Sequence, residues 1–320
     1  KQRMWYIRAK QVVISSGSIE RPIVFGNNDT PGVFLASAAK EYMKVYGVLV
    51  GKKPVIFTNN DSAYETAIEF KKNNINPIVL DSRKNPQSEI IKEALSLDIE
   101  IKFSHVVVTA KGYKKVKSCD IAMISDNKEN LIDISNIQCD CICVSGFWTP
   151  TIHLASQSGS KTKFKEDIDA FVPDKSKQKE ITLGSANGVF SLDETLKTSF
   201  QKGYELSKEI TNKDNKLQSP KVSEKQQTKH DKFWCVPLPN GKNYKRFLDL
   251  QNDVTVSDIE LALREGYRSI EHVKRYTTLG MATDQGRTSN LNGLQLVSNI
   301  ENKIVPAVGH TTFRPPYTPV

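Results

Sequence analysis

The stretch Lys52–Arg83 carries the clearest hydrophobic pattern of the chain. An apolar run at Val55–Phe57 is followed by a polar turn at Thr58–Ser62, a helical period over Ala63–Lys72 and a second apolar run at Pro77–Leu80. A strand, a helix and a second strand in this order are typical of a βαβ unit with parallel strands. The pattern therefore predicts an α/β fold.

Shorter patterns predict the remaining elements and one domain boundary. Further apolar runs predict strands at Trp5–Arg8, Gln11–Ser15, Glu100–Phe103, His105–Ala110, Tyr113–Val116, Asp120–Ser125, Ile137–Val144, Phe171–Val172 and Glu180–Leu183. Amphipathic periods predict helices at Leu35–Tyr46, Gln87–Leu97, Asp193–Ile210, Val256–Glu265, Ser269–Tyr276 and Leu291–Glu301. Short turns between the strands that follow Glu100 indicate an antiparallel meander. Thr211–Asp231 has hardly any apolar side chain and is interpreted as a linker.

The turn of the βαβ unit lacks the glycines of a dinucleotide-binding fold. Asp81 ends the second strand about 20 residues past the turn, where such folds place a ribose ligand. Asn59-Asn60-Asp61-Ser62 fills the turn itself with side chains. We expect Asp61 or Ser62 to cap the helix, and a carboxylate at that position repels phosphate. The unit is therefore expected to keep the fold with reduced phosphate affinity.

Turns that contain glycine follow three other predicted strands. Gly17 and Gly146 each come shortly after an apolar run, and Gly184–Gly188 is a small-residue turn that leads into a helix. Open α/β sheets bind ligands outside the carboxyl ends of their strands, and glycine lets a backbone approach a ligand closely. The last turn in particular is compatible with an anion. Ordinary strand-to-loop turns are the alternative interpretation.

Composition and charge narrow the class of protein. The 320 residues are 38% apolar and 25% charged, enough for two or three domains. The net charge of +9 comes mostly from dispersed lysines without a nucleic-acid-binding motif, so nucleic acid is poorly supported and an acidic partner subunit is as good an explanation. No apolar run approaches the ~20 residues that a membrane span needs. A cytoplasmic protein without membrane contact is expected.

The five cysteines do not indicate a disulfide framework. Cys139, Cys141 and Cys143 alternate along one predicted strand and are expected on one of its faces. Successive residues of that face lie roughly 6.6 Å apart, too far for one tetrahedral metal ion. Small buried residues are the preferred interpretation, and no metal site is predicted.

A segment rich in hydrogen-bond donors lies near the end of the chain. The predicted helix Ser269–Tyr276 presents Lys274 and Arg275, and the loop Ala282–Ser289 contains Arg287. Charged donors of this kind bind carboxylates and phosphates strongly.

The chain opens within a strand-like run and closes on the Pro-rich run FRPPYTPV, so we expect a piece of a longer polypeptide.

Six runs of sequence resemble one known family. They are RAKQVVISSGSIERPIVF, FTNNDSAYETA, VSGFWTPTIHLASQSG, GSANGVFSL, LQNDVTVSDIELALREGYRSIEHVKRYTTLGMATDQGRTSN and TTFRPPYTPV. Together they span nearly the whole chain, which resembles the central part of the alpha subunit of heterotetrameric sarcosine oxidase. The resemblance implies a dinucleotide fingerprint before Lys1 and a folate-binding, aminomethyltransferase-like domain after Val320.

The resemblance also implies an activity, its cofactors and its partners. The family oxidatively demethylates sarcosine to glycine, reduces O2 to H2O2, and passes the one-carbon unit to tetrahydrofolate or releases it as formaldehyde, a reaction of one-carbon metabolism. Amine oxidation occurs at FAD in the beta subunit, FMN lies at the alpha–beta boundary, and NAD is bound by the alpha subunit. Gamma and delta subunits complete the heterotetramer. No catalytic residue is therefore expected in this chain.

The implied fold is that of the two-dinucleotide-domain flavoproteins, and it suggests domain boundaries. A first FAD/NAD(P)-binding, Rossmann-like domain would comprise 1–50 and 137–210, with a second, nucleotide-binding-like domain inserted at 51–136. A linker at 211–232, a small helical domain at 233–304 and a connector at 305–320 would follow. In such flavoproteins a Gly-Asp pair binds the ribityl chain; Gly184-Ser185 stands at that place here, which favours NAD over FAD.

The implied cofactor contacts fall in three groups. Those expected at NAD are Gly17, Ser18, Gly184, Ser185, Ala186 and Phe190, with Gly146 and Trp148 as further candidates. Those expected near FMN are Lys274, Arg275 and Arg287. The helical domain also resembles the [2Fe–2S] domain of related amine dehydrogenases, but Gln251-Asn252-Asp253 and Asp284-Gln285-Gly286-Arg287 stand where its cysteines would be. Without four thiolates no Fe–S cluster is expected.

Two other functions are left open by the sequence. One is a non-catalytic scaffold subunit of a related amine oxidase or dehydrogenase that has lost nucleotide binding, as Asp61 and the missing glycines suggest. The other is an NAD(P)H-dependent reductase that uses Lys52–Arg83. Neither the preferred N-methyl amine nor a redox role of NAD follows from the residues.

Overall fold

The computed structural model describes residues 3–213, 218–220, 230–309 and 312–317. The chain divides into two compact units, and each is described by itself. The first unit consists of the described parts of Lys1–Ile19, Thr149–Thr228 and Thr312–Pro315. The second unit consists of the described parts of Glu20–Trp148, Lys229–Thr311 and Pro316–Val320.

Strands and helices alternate in the first half of the chain, and helices dominate after residue 250. The strands are β1 Val12–Ile14, β2 Ser18–Glu20, β3 Val33–Leu35, β4 Pro54–Thr58, β5 Ile78–Asp81, β6 Glu100–Phe103, β7 His105–Lys111, β8 Ser118–Ile124, β9 Leu131–Gln138, β10 Cys141–Ser145, β11 Trp148–Pro150, β12 Thr162–Lys165, β13 Ala170–Pro173, β14 Glu180–Thr182, β15 Phe247–Asp249 and β16 Val254–Thr255. The helices are α1 Ala36–Tyr46, α2 Tyr64–Lys72, α3 Glu89–Ser96, α4 His153–Gln157, α5 Leu192–Thr211, α6 Val256–Arg264, α7 Ile270–Thr277, α8 Asn290–Ile300 and α9 Val305–Val308, with a 3₁₀ helix at Gly184–Asn187.

The second unit is built around a parallel sheet in the order β3-β10-β4-β5-β6. Side chains of β4 alternate between two cores, as a strand buried on both faces requires. Ile56 packs with apolar residues of α1, α2 and α3, whereas Val55 and Phe57 pack with β7 and β8 of the antiparallel meander β7-β8-β9. Helices therefore cover one face of the sheet and the meander covers the other.

The α/β pattern and most of the elements are confirmed. β4, α2 and β5 lie where the pattern of Lys52–Arg83 predicts them, and α5, α6, α7 and α8 match predicted helices within one or two residues. Two predicted strands are wrong, because Trp5–Arg8 and Tyr113–Val116 are irregular. Strand-forming residues stabilise a strand through the packing of their side chains. Trp5 is 75% exposed, so its side chain gains little of this packing.

The division of the chain differs from the boundaries suggested by resemblance. β3 and β10 belong to the same sheet as β4, so 33–50 and 137–148 are part of the second unit rather than of the first domain. The boundaries lie near Ile19 and Trp148 instead of at 50 and 136. Much of the expected linker, at 214–217 and 221–229, falls outside the described residues. Its last residues, His230 and Asp231, are hydrogen-bonded within the second unit.

Cys139, Cys141 and Cys143 are buried, but they do not share one face. The predicted strand Ile137–Val144 is interrupted between β9 and β10, so the alternation does not continue through Cys139. Cys139 lies with Cys119 in the core beneath the meander, whereas Cys141 and Cys143 lie in the core beneath the helices. All are free thiols, and burial contributes to raising the pKa of Cys143, after its hydrogen bond with Cys141. No cluster of potential metal ligands occurs among residues 3–213, 218–220, 230–309 and 312–317.

The rest of the second unit forms a small helical region. β15 and β16 form a short antiparallel pair within 233–304, which the resemblance suggested as a small helical domain. α6 packs on both α7 and α8, and α8 is buried along almost all of its length. None of the helices in the described part of the chain has both the length and the apolar character needed to cross a bilayer.

Candidate functional site

Two strand ends that are far apart in sequence meet in the first unit. β1 and β14 are parallel, with Ile14 opposite Thr182, and Leu183 donates its N–H to the carbonyl of Ile14 at 2.9 Å. The turn at Gly17 and the turn at Gly184 therefore start from neighbouring strand ends. This is the edge at which open α/β sheets bind ligands.

The Gly17 turn is fixed by two hydrogen bonds to Thr151. The hydroxyl of Ser16 donates to the carbonyl of Thr151 at 2.5 Å, and the N–H of Thr151 donates to the carbonyl of Gly17 at 2.9 Å. Gly17 has a φ of +75°, and a Cβ added to it would meet nothing within 4 Å. The backbone at Gly17 therefore faces open space that a side chain would otherwise enter.

The Gly184 turn differs from the predicted junction with a long helix. Gly184, Ser185 and Ala186 lie in the four-residue 3₁₀ helix Gly184–Asn187, and α5 begins only at Leu192. Gly184 has a φ of +64°, which requires the conformational freedom of glycine. Phe190, between the two helices, is half-buried, and Ser18 lies at the start of β2. A Cβ built on Gly184 would lie 3.4 Å from Thr195 in the first turn of α5, so the start of that helix lies close to this turn.

The second unit has a second row of strand ends. The register places Ser145 beside Thr58, and Thr58 beside Asp81, at the carboxyl ends of β10, β4 and β5. The turn after Thr58 occupies the position of the glycine-rich turn of a dinucleotide-binding fold. The expected helix cap is not formed, because the N-cap of α2 is Ala63 and no side chain caps it.

Arg83 fills this row of strand ends with a buried ion-pair network. Its guanidinium lies 2.8 Å from Asp61 and 2.7 Å from Asp81, and the hydroxyl of Tyr64 donates to Asp81 at 2.8 Å. All four side chains are buried. Burial alone would lower the pKa of Arg83, but the hydrogen bonds and charges of Asp81 and Asp61 raise it above its ordinary value. The acid that would bind a ribose is therefore already paired.

The chain segment that starts at His230 covers the same strand ends. Asp231 donates its N–H to the carbonyl of Asn59 at 2.9 Å, and the side-chain amide of Asn59 donates back to the carbonyl of Asp231 at 2.7 Å. Farther along, Phe233 and Val236 enter the core beneath the meander. A nucleotide at this edge would have to displace both the ion pairs and this segment.

His230 stacks on Phe147, which follows β10. The ring centroids are 3.9 Å apart with an interplanar angle of 8°. Arg21 lies next to the stack, 5.6 Å from the Phe147 ring and 4.1 Å from the Trp234 ring. Burial, and then the charge of Arg21, lower the pKa of His230 to about 4, while Asp231 acts in the opposite direction.

This stack predicts a pH dependence of stability. The pKa of His230 is depressed in the folded state, so the neutral ring is favoured and the stabilisation is complete above pH 6.5. It is lost as the pH falls from 6.5 towards 4, with a slope of at most ~1.4 kcal/mol per pH unit. We expect His230→Phe, which keeps an aromatic ring, to show a smaller acid loss in urea denaturation between pH 7 and 4.5. His272→Gln, on the exposed side of α7, serves as the control, and equal slopes for wild type and His230→Phe would refute the assignment.

Gly146 and Trp148 are engaged in contacts of the second unit. Gly146 donates its N–H to the carbonyl of Arg21 at 2.7 Å, and its own carbonyl accepts the Arg21 Nε at 2.7 Å. A Cβ at Gly146 would lie within 3.0 Å of the Arg21 and Pro22 backbone. The indole N–H of Trp148 donates to the hydroxyl of Ser62 at 2.9 Å. Close packing therefore accounts for both residues without a ligand.

In the helical region, the loop that begins at Gln251 is adjacent to the loop Ala282–Ser289. The side-chain oxygen of Gln251 accepts hydrogen bonds from the Thr283 hydroxyl and the Asp284 N–H, both at 3.2 Å. Asp249, only 2% exposed, accepts the N–H groups of Gln251 at 2.9 Å and Gly280 at 2.7 Å. Hydrogen bonds accepted by amide and carboxylate oxygens thus hold the loops together.

The three basic residues of this region have different environments. Arg275 is exposed on α7, and Lys274 is half-buried with an interaction partner. Arg287 is half-buried in the loop, and its Nε has no hydrogen-bond partner among the described residues. Burial lowers the pKa of Arg287 against the opposing effect of Asp284. Arg287 therefore has donor capacity left for a further group.

Sequence reasoning missed Arg83, Tyr64, Asp249 and Thr151. Arg83 and Tyr64 each appear as ordinary residues of an α/β unit, and their relation to Asp61 and Asp81 depends on strand register. A signal did exist for Arg83, because it follows Asp81 by two residues at a strand end. Nothing in the local pattern marks Asp249 or Thr151.

The fold defines the chain as a mixed α/β protein. It is similar to L-proline dehydrogenase from P. horikoshii, with a TM-score of 0.68 and 22% identity over 98% of this chain and 57% of that one. The sequence is 35% identical over its whole length to sarcosine oxidase subunit alpha of Corynebacterium sp. (strain P-1), and 33% identical to that of Rhizobium meliloti (strain 1021). Residues 243–320 match the sarcosine oxidase A3 domain. The chain is thus related to the alpha subunits of sarcosine oxidase, as its sequence runs indicated.

The relationship covers only part of those proteins. The chain spans 34% of the length of the Corynebacterium relative and 31% of the Rhizobium relative. The A3 match includes the helices from α6 to α9 and also the residues expected to form a connector at 305–320.

Proposed function

We propose that the chain is the part of a sarcosine oxidase alpha subunit that binds NAD and contacts the flavin-carrying subunits. The observation that carries this proposal is the match to sarcosine oxidase subunit alpha along the whole chain. The complete enzyme would demethylate sarcosine to glycine, reduce O2 to H2O2 and pass the one-carbon unit to tetrahydrofolate or release it as formaldehyde. For this reaction the complete enzyme would also need the beta, gamma and delta subunits, FAD and FMN.

The first unit offers the features that a dinucleotide needs. Gly17 leaves its backbone open to close approach, and the strand end at Gly184 lies next to it. The hydroxyls of Thr149 and Thr151 are buried near this turn without a partner among the described residues. Buried hydroxyls are nearly always hydrogen-bonded, so two such groups favour a polar ligand or ordered water nearby. Gly17, Ser18, Gly184, Ser185, Ala186 and Phe190 would line the site, whereas Gly146 and Trp148 lose support.

NAD would have a binding rather than an amine-oxidising role here. Among the described residues, no group of three or more His, Cys, Asp or Glu side chains could hold a metal ion. The residues would bind and orient the dinucleotide through backbone groups and hydroxyls, and the small side chains would admit its backbone. Amine oxidation would take place in another subunit.

The helical region would function without an Fe–S cluster. Gln251 and Asp249 connect the two loops by hydrogen bonds where related domains would use thiolates. The Nε of Arg287 has no hydrogen-bond partner among the described residues, which supports a contact to an anionic group such as the FMN phosphate. Lys274 and Arg275 would lie near the same cofactor. Iron and acid-labile sulfide in stoichiometric amounts in the purified protein would contradict it.

A scaffold without nucleotide binding is the second candidate. It is favoured by one observation, the buried Arg83 network that fills the strand ends of the second unit. The same network argues against a reductase that uses Lys52–Arg83, because the ribose-binding acid Asp81 is already paired. The two candidates differ in whether the first unit binds NAD.

We expect NAD to bind the complete alpha subunit and Gly17→Ala to weaken the binding at least about tenfold, since the methyl group enters the space of the ligand. Calorimetry measures the dissociation constant. Gly241→Ala is a matched control, because Gly241 has a φ of +71° and the same absence of neighbours within 4 Å, but lies in the second unit. A folded wild-type protein that gives no heat with NAD would favour the scaffold.

A further inference from the structure

The loop between β7 and β8 concentrates charge and one aromatic side chain. Its sequence, Lys111–Lys117, is KGYKKVK, with four lysines in seven residues. Tyr113 at its tip is 94% exposed, the largest exposed fraction among the large apolar and aromatic residues of the described chain. A single exposed apolar residue is ordinary, and tyrosine is enriched at protein interfaces whereas lysine is depleted there. The lysines of this loop therefore matter through their charge, which can steer and select an oppositely charged partner.

The loop is held in one conformation. Lys117 donates its N–H to the carbonyl of Lys111 at 2.8 Å, which closes the loop, and Val116 donates to Pro31 at 2.9 Å. The side chain of Val116 is 1% exposed and belongs to the core beneath the meander. Gly112 is required, because a Cβ there would lie 1.8 Å from the Lys115 carbonyl. A rigid loop loses little conformational entropy when it binds, which favours a specific contact.

Three of the four lysines of the loop form no ion pair within the described part of the chain. Lys111 pairs with Asp120 at 2.7 Å. Lys114, Lys115 and Lys117 are exposed and form no ion pair with an acid in the described part of the chain. These three ammonium groups around Tyr113 form a positive surface on a rigid support.

An open groove continues this surface. It has a volume of about 470 Å³ and lies between the loop and the turn that precedes β3. Its lining is mostly polar and consists of Asn27, Asp29, Thr30, Pro31, Ala110, Lys111, Gly112 and Tyr113. The groove and the loop together offer a contact area larger than one side chain.

We propose that Lys111–Lys117 and this groove bind an acidic segment of a partner subunit of the same enzyme. Carboxylates of the partner pair with Lys114, Lys115 and Lys117, and an apolar or aromatic side chain packs on Tyr113. Charge complementarity selects an acidic protein surface, and relatives named as alpha subunits imply a multi-subunit enzyme. Nucleic acid is disfavoured because the positive surface is confined to one loop with a single aromatic ring, whereas nucleic-acid sites extend along a groove or helix. The inference rests on the proposed subunit role.

The test compares charge reversal at two places in the complete multi-subunit enzyme. We expect Lys114→Glu/Lys115→Glu and, separately, Tyr113→Ala to weaken subunit association about tenfold or more at ~0.15 M salt, as truncating an interface anchor does. The control is Lys71→Glu/Lys72→Glu, which reverses two charges at the end of α2. Association is measured by sedimentation as a function of salt, together with the NAD content and the thermal midpoint of the isolated alpha subunit.

Each result of these measurements supports or contradicts a different part of the proposal. Weakened association with unchanged NAD content and folding supports the proposal. Association equal to wild type in both loop variants overturns it, while NAD binding and the proposed function stand. RNA binding by the wild type that is lost in the loop variants overturns it in favour of nucleic acid. A wild-type alpha subunit that associates with no other subunit overturns both the surface and the subunit role.

Discussion

Replacing Arg83 by Met is expected to destabilise the second unit by about 3–5 kcal/mol, because it removes the guanidinium that pairs with the buried carboxylates of Asp61 and Asp81. Both acids are at most 5% exposed, so water cannot take over the role of the guanidinium. The free energy of unfolding from urea denaturation measures the loss. This is the largest single effect that we expect from a polar residue of the chain.

Two further variants decide whether charge or packing is responsible. Lys84→Met removes the neighbouring cation, whose ion pair with Asp126 is about three-quarters exposed on both sides, and should change stability by less than about 0.5 kcal/mol. The triple variant Asp61→Asn/Arg83→Met/Asp81→Asn removes all three charges and should recover part of the lost stability. If it recovered nothing, packing of the long Arg83 side chain would be the better explanation.

Replacing Asp249 by Ala is expected to destabilise the helical region by about 2–4 kcal/mol, because it leaves the buried N–H of Gly280 without its acceptor. The carboxylate also accepts the part-buried N–H groups of Gln251 and Asn252, and thereby connects the residues after β15 with Gly280. Hydrogen exchange of the Gly280 amide should accelerate in the variant as its hydrogen bond is lost. Urea denaturation gives the accompanying change in stability.

Asp253→Asn is the control for this variant. Asp253 lies four residues away, is exposed, and has a φ of 54°, a backbone conformation that Asn tolerates. We expect neither the Gly280 exchange rate nor the unfolding midpoint to change. An Asp249→Ala protein with wild-type exchange at Gly280 would show that the loops are held by packing of α8 instead.

The elements were predictable where the pattern is local. In Lys52–Arg83 the apolar residues of β4 and β5 and the helical period of α2 all lie within 32 residues, and each decides its own structure. The strand at Ile137–Val144 was predicted as continuous because apolar residues run through it. The break between β9 and β10 depends on Asp140, whose carboxylate accepts the N–H groups of Lys52 and Lys53, and no pattern reports a contact over nearly 90 residues.

The candidate site was only partly predictable, for the same reason. Gly17 and Gly184 were identified because glycine after an apolar run is a local signal, and the pairing of β1 with β14 brings them together. The closure of the second unit was not foreseen, since it requires Asn59 to meet Asp231 across 172 residues. The sequence showed a nucleotide turn without glycines, and the structure shows which groups occupy the space.

The sequence by itself determined the α/β class, the βαβ unit, the helices after residue 250 and the relationship to sarcosine oxidase alpha subunits, because hydrophobic period and motif residues act over short distances. Only the tertiary structure decided the unit boundaries near Ile19 and Trp148, the separation of Cys139 from Cys141 and Cys143, and the pairing of Arg83 with Asp61 and Asp81. These features arise from strand order and register, which depend on how distant segments bury each other's surfaces. Local composition therefore cannot reveal them.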